Sequence, residues 1–208
     1  MDRRRFLSCA TATLALGASP VHASIRDLMC LPTVGGAGGS LASYAPGGLD
    51  PGDNGVAVPG LDPNAPRRIK IYNHRSNDRI DVEYFAGGAY VSSAVQEFSY
   101  FMRDWRNNEV KAVDPKLIDI IWRISEMLSL SGSFPLQINS GYRSPNSNAV
   151  VGGANNSMHM YAKAMDLSHP QRSPRQIQAA ALRLSGGGVG IYQTFCHVDS
   201  GRVRTWRA

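Results

Sequence analysis

The chain has no long hydrophobic run. None of its apolar stretches reaches the ~20 residues that a membrane-spanning helix needs, which excludes a helical membrane span. Cysteine is scarce, with three in 208 residues. No run of lysine and arginine is interleaved with aromatics, so nucleic-acid binding is not expected. Charge of either sign is modest, with a formal net charge of +6. Loss of Asp2, Arg3, Arg4 and Arg5 with the leader described below would leave +4. The plain reading of that excess is a solvated basic face; the functional one is attraction to an anionic polymer such as a bacterial cell wall. Hydrophobic content of 43% suffices for one globular core, although not all of the chain belongs to it.

Two stretches lie outside that core. Residues 1–23 have a charged start, a run of small and apolar residues, the Pro20 break, and Val21-His22-Ala23 as a small-x-small cleavage site. Arg3-Arg4-Arg5-Phe6-Leu7 resembles the twin-arginine (Tat) signal, which implies export in the folded state to the periplasm, with no stable membrane anchor after cleavage. Almost nothing apolar precedes Cys9, so lipidation there is rejected, and Cys9 and His22 leave with the leader. Residues 24–66 are rich in Gly, Pro, Ala, Ser and Asp and bury too little apolar surface to offset chain entropy, so a flexible linker is expected. Cys30 falls in it and could pair with Cys196; a buried free thiol is the simpler reading of Cys196.

From residue 67 onward the patterns are regular. Arg68–Asn73 and Arg79–Phe85 alternate as strands around the turn residues 75–78, which predicts a hairpin that must pack on other elements. Val95, Phe98, Phe101, Met102 and Trp105 recur at helical spacing and predict a helix from Ser92 or Ser93 to Asn107, its aromatics in the core. Asp114-Pro115 opens a second, nearly buried helix to Leu130, stopped by Ser131-Gly132-Ser133. Ser173-Pro174 opens another to Leu184. Strands are predicted at 134–139, 161–167, 189–192, 195–199 and 203–206, with Trp206 covering the core.

The chemistry-bearing residues cluster in and after the stretch Asn139–Leu167. His159 and Asp166 stand seven positions apart, with Arg143 sixteen residues before the histidine, and His197 follows in Cys196-His197-Val198-Asp199. Two histidines and one carboxylate form the ligand set of an open, catalytic Zn2+ site, whose fourth position is left for a water that the metal acidifies. Alternation puts Ala162, Ala164 and Asp166 on one strand face, and Phe195, His197 and Asp199 on one face of another. Cys196 then points away from the metal. Arg143 emerges at a strand end, either as a structural ion pair or as a grip on a substrate carboxylate or carbonyl. His74 and His169 read as surface and loop histidines without a role.

Ser157, His159, Ala162, Ala164 and Asp166, the upstream Gly-Tyr-Arg-Ser, and the terminal His-Val-Asp-Ser-Gly-Arg-Val-Arg-Thr-Trp resemble the D-Ala-D-Ala metallopeptidase family, in its murein endopeptidase branch. The resemblance covers about Arg67 to Trp206. It implies a hedgehog/D-Ala-D-Ala peptidase-like α+β fold, a small, mainly antiparallel sheet carrying the zinc ligands and backed by helices, in a peptidase domain spanning 67–208. It implies zinc held by His159, Asp166 and His197, Arg143 in substrate or transition-state binding, and hydrolysis of peptide cross-links in peptidoglycan stem peptides; a monomer is expected. Two departures stand out. Ala162 replaces the family's usual glycine, and Tyr192, Gln193 and Thr194 occupy positions where relatives carry a catalytic Glu or His. Asp199 is then the candidate general base; its alternative role is to orient a histidine ring. Two competing functions remain, a D-alanyl carboxypeptidase and a non-catalytic zinc-containing cell-wall binding module.

Overall fold

A computed structural model describes residues 64–130 and 135–208. The expected leader, nearly all of the linker, Cys9, Cys30 and the helix stop at 131–133 fall outside the described residues.

The predicted hairpin is present, as β1 (Arg67–Asn73) and β2 (Asp78–Ala86), paired antiparallel. Ile69, Ile71, Ile80, Val82 and Tyr84 point to one buried face, and the residues between them carry charge toward solvent. The short β3 (Ala89–Tyr90) extends it. The hairpin is not isolated, because β1 runs parallel to β4 (Leu136–Ser140). Beyond it lie β5 (Ala164–Ser168), β6 (Gly188–Ile191), β7 (Cys196–Asp199) and β8 (Arg204–Arg207). The order is β3-β2-β1-β4-β5-β7-β6-β8, an eight-stranded sheet larger than expected. It is mixed: the β1–β4 and β6–β8 pairings are parallel and the others antiparallel. The α+β class agrees with the sequence.

Helices α1 (Ser92–Phe101), α2 (Pro115–Met127), α3 (Pro145–Val150) and α4 (Pro174–Leu184) accompany the sheet. Proline sits at the start of α2, α3 and α4, where its missing N–H costs nothing. Asp114, Ser144 and Ser173 accept the orphan N–H groups of Lys116, Ser147 and Gln176, and Gln176 answers Ser173 in a capping box. Leu117, Ile118, Ile121 and Ile124 of α2 are fully buried against the sheet and α4.

One helix is shorter than its pattern. The apolar periodicity runs on to Trp105, but α1 stops at Phe101 and Trp105 is 39% exposed. Competing partners take over the backbone there. The Met102 carbonyl accepts Tyr142 N–H at 2.7 Å, Asn73 Nδ2 donates to the Phe101 carbonyl at 3.4 Å, and Asp104 N–H bonds to the Glu109 carbonyl at 2.9 Å. Gly141 permits this approach, since a Cβ there would lie 2.5 Å from the Met102 carbonyl oxygen.

The expected strand from Tyr161 also starts late. Residues 158–161 form a 3-10 turn closed by Ala162 in the left-handed region, with φ 53° and ψ 34°. That conformation costs a residue with a Cβ about 1 kcal/mol or more, and glycine nothing. The position is fully buried, yet a hydrogen atom in place of the methyl leaves only a small void. Ala162→Gly is therefore expected to raise unfolding free energy by up to about 1 kcal/mol, read from urea melts at constant m; a destabilised variant would contradict the strain.

Candidate metal centre

The sheet brings the three expected ligands together by register. Asp166 on β5 stands directly opposite His197 on β7 in an antiparallel pair, so both side chains leave the same face. His159 arrives from the 3-10 turn that feeds β5. All three are buried. His159 Nε2, Asp166 Oδ1 and His197 Nδ1 converge, with 3.2 Å between the two nitrogens and 3.2 and 3.0 Å from them to the carboxylate oxygen.

The outer hydrogen bonds fix what these atoms offer. His159 Nδ1 lies 2.6 Å from the Gly141 carbonyl, which can only accept, so Nδ1 carries the proton and Nε2 presents a lone pair. His197 Nε2 lies 3.1 Å from Asp199 Oδ2, which leaves Nδ1 as the second lone pair. With His197 neutral, three lone-pair-bearing atoms therefore face one another in a buried space. That is an unfavourable arrangement unless a cation fills it. The donor set, two imidazoles and one carboxylate, is that of an open zinc site, and the fit is good.

Electrostatics follow the same pattern. Burial lowers the pKa of His159 despite the nearby Asp166 carboxylate. Burial would also lower that of His197, but hydrogen bonds and charge from Asp166 and Asp199 outweigh it and raise the value above 6.5. For Asp166, burial favours the neutral acid, and the charges and hydrogen bonds of the two histidines reverse this and hold it below the usual carboxylate range.

Arg143 reaches the centre from the loop after β4. Its Nη2 donates to Asp166 Oδ2 at 2.5 Å and its Nε to Ser140 Oγ at 2.7 Å, so Asp166 divides its two oxygens between the histidines and the arginine. The loop is held from below. Asp104, 1% exposed, accepts from both Ser144 N–H and Ser144 Oγ, and Arg143 N–H donates to the His159 carbonyl.

Asp199 does not have the surroundings of a free base. It sits on the far side of the His197 ring from the other two ligand atoms. Arg204 engages both of its oxygens, at 3.0 and 2.7 Å, and Gly188 and Gly201 N–H donate to Oδ1. Burial would raise its pKa, but His197 and Arg204 win and depress it. A carboxylate so satisfied is a weak proton acceptor, and its surroundings suit the ring-orienting role better than that of general base.

Cys196 is a free thiol, buried on the opposite face of β7 and pushed up to about 12 by burial and the Asp166 charge. His169 is buried elsewhere, its Nδ1 accepting from Gln171 N–H. Arg204, Asp104 and Gly141 were not singled out from sequence. Arg204 and Gly141 had a local signal, each lying in a quoted motif.

The three candidate ligand residues open into a cleft of about 910 Å³. His74, exposed in the β1–β2 turn, is on its rim rather than remote from it. Trp206 forms part of the other wall. It lies over Gly190, where a Cβ would come within 2.4 Å of the indole, and its ring is 5.1 Å from that of His197.

The family described as peptidoglycan L,D-endopeptidase MepK matches residues 62–206. The peptidoglycan L,D-endopeptidase MepK of Escherichia coli strain K12 is 34% identical over 148 residues, which span 68% of this chain and 80% of that protein. The probable peptidoglycan L,D-endopeptidase MepK of Haemophilus influenzae is 33% identical over 149 residues, with the same coverage. A zinc D-Ala-D-Ala carboxypeptidase of Streptomyces albus G is 31% identical over 146 residues, covering 67% of this chain and 54% of that protein.

The pKa of His197 is raised by Asp166 and Asp199, so zinc binding at this ring would compete with a proton. Zinc affinity, measured by competition with a chelator, is expected to fall about tenfold per pH unit on acidification below that pKa. His159→Ala should abolish binding; an affinity that does not fall on acidification below neutral pH would contradict the ligand assignment.

Proposed function

The chain belongs to the peptidoglycan L,D-endopeptidase MepK family, and from that membership we propose that it is an exported zinc metallopeptidase hydrolysing peptide cross-links of peptidoglycan. The observation that carries the reading is the convergence of three buried lone-pair atoms at the base of an open cleft. His159, Asp166 and His197 would hold the ion. Zinc, when bound, lowers the pKa of water toward neutrality and polarises an amide carbonyl. The chain's own residues supply the rest. The Gly141 carbonyl and Asp199 hold protons on the outer nitrogens of the two histidines, so the inner nitrogens stay available. Arg143 sets the rotamer of Asp166 and presents its remaining guanidinium N–H groups toward the cleft, where charge develops on a carbonyl oxygen. The proposed route to the periplasm is the twin-arginine leader of residues 1–23. Among the described residues, no helix is long and apolar enough to cross a membrane.

The carboxypeptidase alternative needs Arg143 free to grip a terminal carboxylate with its fork. Its Nη2 and Nε are already engaged by Asp166 and Ser140, which favours the endopeptidase. A second reading, a zinc-containing cell-wall binding module without turnover, draws on another observation. Among the described residues lining the cleft, Asp166 is the one carboxylate.

Digestion of purified sacculi with the zinc-loaded protein, followed by chromatography of the muropeptides, separates the readings. Loss of dimers with a gain of monomers is expected; an unchanged profile at stoichiometric zinc would leave only the binding module. Arg143→Ala is expected to lower kcat on the order of a hundredfold at saturating zinc. Asp199→Asn should weaken zinc binding about tenfold to a hundredfold while activity at saturating zinc largely survives. Full zinc affinity with lost activity would restore Asp199 as the base.

A further inference from the structure

The cleft is basic well beyond the metal centre. Arg75, Arg106, Arg143 and Arg204 all line it. Two of these have carboxylate partners, Arg143 with Asp166 and Arg204 with Asp199. Arg75 and Arg106 have no ion-pair partner among the described residues. Arg75 follows β1, and β1 lies on the opposite side of β5 and β7 from β6 and β8, so this pair stands across the ligands from Arg204 and Trp206.

Both arginines are mounted on buried polar anchors. Asn73, 4% exposed, accepts the N–H groups of Arg75 and Ser76 with Oδ1 and donates through Nδ2 to the end of α1. Asp104 accepts Arg106 N–H at 3.1 Å with one oxygen, and Ser144 N–H beside Arg143 with the other. One buried carboxylate thus fixes the spacing between the Arg106 loop and the Arg143 loop. Trp105, turned out of the core by the early end of α1, supports the Arg106 guanidinium at 4.5 Å from its ring centroid. Burying an asparagine and an aspartate to hold two exposed loops is more than a solvated rim requires.

From this geometry we infer that Arg75 and Arg106, backed by Trp105, form a second subsite that binds a free carboxylate of an acidic peptide at a distance from the bond cut. The inference rests on the reading of the cleft as a peptide-binding groove. It adds a specificity element on one side of the metal centre. The planar fork of arginine matches a carboxylate by two parallel hydrogen bonds. Arg143, committed to Asp166 and Ser140, leaves that task to the outer pair.

The test uses muropeptide monomers and dimers from digested sacculi, before and after amidation of their carboxylates with carbodiimide and ammonia. Binding of monomers to the zinc-loaded protein is followed by tryptophan fluorescence, and cleavage of dimers by chromatography. Wild type is expected to bind native monomers on the order of tenfold more tightly than amidated ones. The Arg75→Gln, Arg106→Gln double variant should lose that preference and show a raised KM at unchanged kcat. Replacement of both by lysine should retain part of the preference. Thermal melts check that the variants fold. Wild type indifferent to amidation, or a double variant that keeps the preference, would overturn the subsite, whether or not dimers are cut. A preference that vanishes in the double variant, with no dimer cleavage, would support the subsite while removing the enzymatic reading.

Discussion

The site depends on the antiparallel pairing of β5 with β7. Asp166 and His197 stand opposite each other in that register, so a carboxylate and an imidazole leave the same face within hydrogen-bonding distance. A slip of one residue would send Asp166 toward the core and bring Met165 or Leu167 to the cleft. The other face of the same two strands secures the register. Met165, Leu167, Cys196 and Val198 are buried on the other face, where a slip would expose them or bury charge. The same alternation that builds the core thus brings together the residues that could hold a cation.

Around this pairing, each inner atom is prepared by an outer partner. The Gly141 carbonyl selects the His159 tautomer, Asp199 selects that of His197, and Arg143 turns Asp166. These partners are themselves anchored: Gly141 by its close approach to Met102, Asp199 by Arg204, and Arg143 by Ser140 and the Asp104-held loop. A charge such as that of Asp199 is tolerable in the interior because Arg204 and two backbone N–H groups satisfy it. The same satisfaction makes it a weak proton acceptor.

Much of this was legible in the sequence, and the exceptions have one cause. His159, Asp166 and His197 could be picked out because ligand types and strand alternation are local signals. So were the hairpin and the proline-started helices, whose caps lie within three residues of what they cap. The end of α1 was not legible. Its periodicity continues through Trp105, and the Tyr142, Asn73 and Glu109 groups that end it come from other parts of the chain. The left-handed Ala162 and the Arg204 clamp on Asp199 are likewise set by tertiary contacts. The alternation placed Asp199 on the metal-ligand face, but it could not reveal which side of the His197 ring it occupies.

The central claim is that two imidazole nitrogens and one carboxylate oxygen hold zinc, with sulfur excluded. Zinc-edge X-ray absorption on the purified, zinc-loaded protein tests it most directly. The account predicts one ion per chain, a first shell of nitrogen and oxygen at about 2.0–2.2 Å, and the multiple-scattering signature of two imidazoles. A sulfur scatterer near 2.3 Å, which would bring Cys196 into the shell, or a single imidazole, would contradict it.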